Sequence, residues 1–167
     1  EDKVIDFYSM AAASSGRSRL VKVVAMEPGF PFYGKFELKL QGKVAKSANE
    51  LLHNRENIWI YPELRNQLEV DLGEMIKIGE AQFRVTDFMM NDPGLQFQPA
   101  ELAPKVFISK NNLAKTNLLL QGNTAFHNSL YKLPLNSEEE KIIEAVEKGI
   151  TTPDIRIFSR NRSRISR

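Results

Sequence analysis

Two short apolar runs open the chain. Lys3 to Tyr8 and Arg19 to Met26 are rich in Val, Ile, Phe and Leu, the composition of strands. The small Ala11-Ala12-Ala13-Ser14-Ser15-Gly16 stretch between them serves as their loop. Leu20 to Ala25 is apolar on both faces except at Lys22, which suits a strand with neighbours on both edges. In Glu27 to Gly34, two prolines and two glycines forbid regular structure and Phe30, Phe32 and Tyr33 crowd together, so this is a shaped loop. Lys35 to Leu40 then alternates Phe36, Leu38 and Leu40 with Lys35, Glu37 and Lys39, the pattern of a strand with one wet face.

Further along, Ser47 to Asn54 reads as a short helix, with Ser47 as its cap and Glu50 as the capping-box acid. Ile58 to Tyr61 is a strand, and Pro62 opens a helical turn through Leu68. Leu68, Val70 and Leu72, then Ile76 and Ile78, then Phe83 and Val85 suggest strands joined by tight turns, with Gly79-Glu80 as a hairpin tip. Asn91 to Pro104 carries Asn-Asp-Pro-Gly and two further prolines without periodicity, a long loop of the kind that tends to carry function. Val106 to Ile108 and Phe126 to Leu133 read as strands around a helical turn at Asn111 to Thr116. Ser137 to Lys148 has the strongest helix pattern: Ser137 as cap, Glu140 closing the box, acids in the first turn, Ile142, Ile143 and Val146 on one face, and Gly149 at the end. Asp154 to Phe158 would return as a strand, giving a strand, helix, strand unit. The fold class expected is α+β.

Charge changes this picture at one end. Of 23 Lys and Arg against 21 Asp and Glu, five Arg and no acid lie in residues 155 to 167, so the preceding body is mildly acidic. The run Arg160, Arg162, Arg164, Arg167 has no interleaved aromatic ring, and with an acidic body behind it this argues against nucleic acid as a partner. The chain is 167 residues long with no Cys and two His, which excludes disulfides and thiolate metal sites; neither a metal nor a cofactor is expected. No apolar run reaches the roughly 18 residues that suggest a membrane span. Glu1 in place of an initiator Met, and the arginine-rich close, lead to the expectation that the chain is a piece of a longer protein.

Enzyme chemistry finds little footing. Nucleophilic catalysis needs a Ser beside a His with an orienting acid; the pairs available are Ser129 with His127 and Ser47 with His53, neither in a nucleophile-elbow context. No phosphate loop of the Gly-x-x-x-x-Gly-Lys-Ser/Thr type is present. Glu69 and Asp71 read as two acids on one face of a strand edge, solvated rather than catalytic. The chain is therefore expected not to be an enzyme, with a small Ser/His hydrolase and a stand-alone peptide- or protein-binding adaptor as the competing readings.

The order of these segments carries a family likeness. Leu20 to Ala25 followed by Pro28 to Gly34, Ile58 to Leu64, Leu68 to Phe83 with its two glycines, Leu102 to Ser109 with Asn112-Leu113, and the terminal helix and strand together resemble the extracytoplasmic core domain of FtsX- and MacB-type ABC transporter permeases. The resemblance is greatest to the bacterial permeases encoded beside lysophospholipase-like esterases. It departs from that family in lacking the usual opening strand and helix and in the bulk of Phe88-Met89-Met90.

The resemblance implies a βαβ-like, membrane-proximal base built from residues 1–26 and 124–167, with a mostly β lobe, residues 27–123, inserted into it. It implies an inner-membrane protein with this segment on the periplasmic side. A cytoplasmic ATPase subunit would be a partner, a periplasmic esterase a possible one, and the full transporter a dimer or pseudo-dimer. Residues 159 to 167 would begin the return to the membrane. Phe30, Phe32, Tyr33, Met89 and Met90 are the candidate contacts for an apolar or lipid-linked client or a partner, since Met and aromatic side chains suit adaptable apolar surfaces; the competing reading has them fill a seam between base and lobe.

Overall fold

In a computed structural model, the chain is described over residues 1–40, 52–53, 55–92, 103–119 and 124–159. The strands are β1 (Asp2–Ala13), β2 (Ser18–Met26), β3 (Glu37–Leu38), β4 (Asn57–Ile60), β5 (Met75–Ile78), β6 (Ala81–Asn91), β7 (Lys105–Ser109) and β8 (Phe126–Leu130). Helix α1 spans Pro62–Leu68, a 3-10 turn spans Lys110–Thr116, and α2 spans Glu139–Gly149.

β1 hairpins antiparallel onto β2 from Val4↔Met26 to Ala12↔Ser18. β2 runs parallel to β7, β7 antiparallel to β4, β4 parallel to β6, β6 antiparallel to β5, and β5 returns antiparallel to β1 through Ala11↔Ile78. The six strands therefore close into a mixed barrel, which removes the free edges an open sheet would leave. β1 is long enough to serve twice: its last residues close the barrel on β5, and Asp2 to Asp6 pair with β8 as an outlying edge strand.

Alternation decides what fills the barrel. Phe7, Ala11, Val21, Val23, Ala25, Ile58, Ile60, Ile76, Ile78, Phe83, Val85, Val106 and Ile108 point inward into one buried cluster, joined by Leu64 and Leu68 of α1 and Leu113 of the 3-10 turn. A register shift between β4 and β6 seats Trp59 opposite Asp87 instead of Thr86; this bulge reverses the parity of β6, so Phe88 joins the interior and Met89 faces out. Because α1 needs a stop before β5, Glu69 takes a left-handed φ of 52° as its C-cap. At the β5–β6 tip, Gly79 adopts φ 58° and lies under the carbonyl oxygen of Thr116.

Several expected elements differ. Only Glu37–Leu38 of the Lys35–Leu40 alternation pairs as a strand, although Phe36 and Leu38 are both buried as the pattern demands. Leu68 closes a helix, and Val70 and Leu72 lie in the turn that follows. Glu69 and Asp71 are accordingly not on a strand edge: they pair with Arg17 and Arg65. Ser137 does not cap α2; Glu138 holds that position without a side-chain cap bond, and Glu139 and Glu140 occupy the first turn. Residues 154–158 form no strand, so the strand, helix, strand unit is not made. The Ser47–Asn54 helix falls outside the described residues apart from Leu52 and His53, which are helical. Most of the Asn91–Pro104 loop and the arginine run from Arg160 also lie outside them.

The described residues fall into two compact units, the larger ending at Tyr131 and the smaller beginning at Lys132. Within the larger, β1 and β2 are bonded directly to β5 and β7. In the smaller, α2 carries exposed i,i+3 and i,i+4 ion pairs, Glu138–Lys141 and Glu144–Lys148.

Candidate functional site

The barrel has a second buried layer on its outside. Phe107, Trp59 and Asp87 form one row across β7, β4 and β6, since Trp59 is the register partner of both others. Val4, Val24 and Met26 continue the layer over β1 and β2. The loop after β2 and the strap Lys35–Leu40 fold over it and insert Phe30, Phe36 and Leu38. Phe36 is 0% exposed and sits at the centre, its ring 5.8 Å from Phe30, 5.8 Å from Trp59 and 5.7 Å from Phe107, the last two edge-on. Such tilted contacts suit the ring quadrupoles.

The loop is tied at its root. Glu27 accepts from the backbone N–H of Lys3 at 2.7 Å and from the ammonium of Lys110; the Lys110 hydrogen bond holds the Glu27 carboxyl below its ordinary range. Gly29 lets the loop pass close to Asp2, since a Cβ there would stand 2.1 Å from the Asp2 carboxylate and force that side chain to shift. At the other end, Lys39 N–H donates to the Phe88 carbonyl at 3.0 Å and Leu40 N–H to Asp87 Oδ1 at 3.0 Å.

This geometry divides the five candidate contact residues. Phe30 and Met89 are buried in the outer layer. Phe32 is half-buried, and Tyr33 and Met90 are exposed. What the cluster covers is the outer wall of the barrel.

The Ser and His candidates are also located. His127 and Ser129 lie two apart on β8 and line, with Lys3, Val4, Ile5 and Asn128, a shallow cavity of about 180 Å³. Ser47 lies outside the described residues, and His53 instead meets Ser109, with Nδ1 2.5 Å from Oγ. That pair has the contact of a catalytic dyad without the access. Ser109 is 0% exposed, and its Oγ accepts from Asn111 N–H to cap the 3-10 turn. Burial lowers the pKa of His53 from its ordinary value. The sequence signal for Ser109 is its place immediately before the turn, the capping position.

Two further polar groups were not legible as a set. Lys22, the one charge between Leu20 and Met26, forms a buried ion pair with Asp6 at 3.0 Å, and Asn128 of β8 donates to the same carboxylate at 2.6 Å. Tyr61, Asp92 and Lys105 meet where β6 ends and β7 begins, with Lys105 Nζ 3.4 Å from Asp92. Among the described residues no helix is long and apolar enough to cross a membrane.

No family profile matches the chain. Over 121 residues, 72% of the chain, it is 24% identical to the uncharacterized ABC transporter permease YbbP of Escherichia coli K12, and this stretch spans 14% of that protein's length. Among solved structures, it is similar to a domain of a putative permease protein from Porphyromonas gingivalis, with a TM-score of 0.51 and 15% identity over 99% of this chain and 82% of that one. It is likewise similar to the periplasmic region of MacB from Actinobacillus actinomycetemcomitans, with a TM-score of 0.50 and 11% identity over 88% and 65% of the two chains. The chain thus shares its overall fold with the periplasmic region of MacB and with a permease domain.

Proposed function

We propose that the chain is an extracytoplasmic domain of an ABC transporter permease subunit. The observation that carries this is a coincidence of two independent likenesses: a fold shared with a permease domain along 99% of the chain, and a sequence relation to an ABC permease over 72% of it. In this reading the protein sits in the inner membrane with these residues on the periplasmic side. Residues 1–26 and 124–167 form the membrane-proximal base, and residues 27–123 the inserted, mostly β lobe.

The domain itself performs no hydrolysis. ATP is hydrolysed by a cytoplasmic subunit, and closure of that subunit tilts paired extracytoplasmic domains against one another as rigid bodies. The barrel suits such a lever, since closed hydrogen bonding and two buried layers resist bending. The client is apolar or lipid-linked, met first at Phe32, Tyr33 and Met90, while Phe30 and Met89 support that surface from beneath. A periplasmic esterase is a fitting partner for such a client. The full reading frame tests the proposal: four apolar spans, one before and three after these residues, are expected, together with an ATPase that co-purifies with the intact protein. A reading frame without spans sinks it.

A further inference from the structure

The outer layer contains polar atoms that its packing does not satisfy. Trp59 and Asp87 are register partners on β4 and β6, and the bulge turns Asp87 to the same outer side as Trp59. Both residues are 0% exposed. Asp87 Oδ1 accepts from the backbone N–H of Phe88 at 2.7 Å and of Leu40 at 3.0 Å. Its Oδ2 has no hydrogen-bond partner, and neither has Nε1 of Trp59. A buried acceptor lacking a donor and a buried donor lacking an acceptor thus belong to two register-paired residues on the face that Phe36, Met89 and Phe107 make apolar. Each atom has given up water without replacement, which folded chains rarely tolerate.

Among the described residues, the strap over these atoms meets β6 through the two-residue β3, the Lys39 to Phe88 backbone bond and the Leu40 bond to Asp87, so one of its ties ends on the carboxylate in question.

We infer that the layer beneath residues 36–40 is a binding site for an apolar molecule bearing a hydroxyl group. A hydroxyl is both donor and acceptor: its hydrogen meets Asp87 Oδ2 and its oxygen receives the Trp59 Nε1–H. An ammonium would satisfy the carboxylate alone, and a carbonyl or ether the indole alone. The apolar body lies against Trp59 and Phe107 in place of the Phe36 ring. The inference stands on this cluster and holds or fails independently of the permease reading.

Trp59 is the single tryptophan of the chain, so its indole N–H gives one resonance in a proton–nitrogen correlation spectrum. The 167-residue chain is titrated with 1-octanol and, separately, with octyl methyl ether, which has the same apolar tail and no donor. The expected result is a saturable downfield shift of the indole proton with 1-octanol, and affinity for the ether weaker by about tenfold or more, because it leaves the carboxylate unpaired. Phe36→Ala, which frees the space of the ring, binds 1-octanol more tightly. Equal response to alcohol and ether, no saturable shift in either the native chain or the variant, or an indole proton in lasting contact with a trapped water that 1-octanol does not displace would each overturn the proposal. If the variant fails to fold, the two titrations of the native chain decide.

Discussion

Phe36→Ala probes whether the outer layer is part of the barrel's own stability or a detachable cover. The ring is fully buried and meets three other aromatic side chains, and the strap that carries it pairs through the short β3, with Phe36 itself in a bridge. Removing a buried Phe costs about 3–5 kcal/mol through lost transfer energy and the cavity left behind. A domain of this size loses roughly 2–4 °C of Tm per kcal/mol. The expected fall is therefore about 10 °C, with urea midpoints that coincide whether followed by Trp59 fluorescence or by far-UV circular dichroism. The choice of two signals matters, because Trp59 reports the outer layer and the dichroism reports the strands. A loss below about 1 kcal/mol, or Trp59 emission that changes well before the dichroism, would refute the reasoning by showing that the layer opens without the barrel.

Gly79→Ala places a Cβ 2.1 Å from the Thr116 carbonyl oxygen at a φ of 58°, and should destabilise by at least about 2 kcal/mol. Gly16→Ala, at φ 86° with nothing within 4 Å, should cost about 1 kcal/mol; urea titration of the two variants checks the difference. Lys22→Met leaves Asp6 buried without its ion-pair partner and should cost about 3–5 kcal/mol, of which the double variant with Asp6→Leu recovers part. For pH, burial lowers the pKa of His53 from its ordinary 6.5, so the unfolded chain binds its proton first. Stability is then full above pH 6.5 and is lost as the pH falls below it, towards the lower folded value. Melting at pH 7.5 and 5.5 should show that slope in the native chain and a flatter one in His53→Gln. Glu27, lowered chiefly by the Lys110 hydrogen bond, acts with the same sign below its ordinary 4.5 and so outside this window.

Local chemistry was legible where a local rule governs it. The Gly79-Glu80 tip, Pro62 opening α1 and the doubly apolar β2 were all foreseeable, because a turn, a first helical position and a two-sided strand each leave a short-range mark. In Lys35–Leu40 the alternation correctly marked Phe36 and Leu38 for burial, but burial beneath a strap has the same period as a paired strand. Closure of the barrel left no such mark. It rests on Ala11 meeting Ile78 and Lys22 meeting Lys105, pairings far apart in sequence that short-range patterning does not encode. The same distance hid the outer layer as a site. Phe88, Met89 and Met90 read as one greasy turn, yet a single bulge sends the first into the barrel and the second outward. Asp87, an acid in an apolar run, was the available sign that something other than packing governs that position.

The permease reading has its most direct test in the sidedness of the intact protein. The chain contains no cysteine, so Ser14→Cys, at the exposed tip of the β1–β2 hairpin, is a unique label site once any other cysteines of the full-length protein are removed. Cells expressing that protein are treated with a maleimide that crosses the outer but not the inner membrane. Labelling of intact cells to the same extent as lysed ones is predicted. Labelling that appears only after the inner membrane is broken would place the domain on the cytoplasmic side and contradict the account.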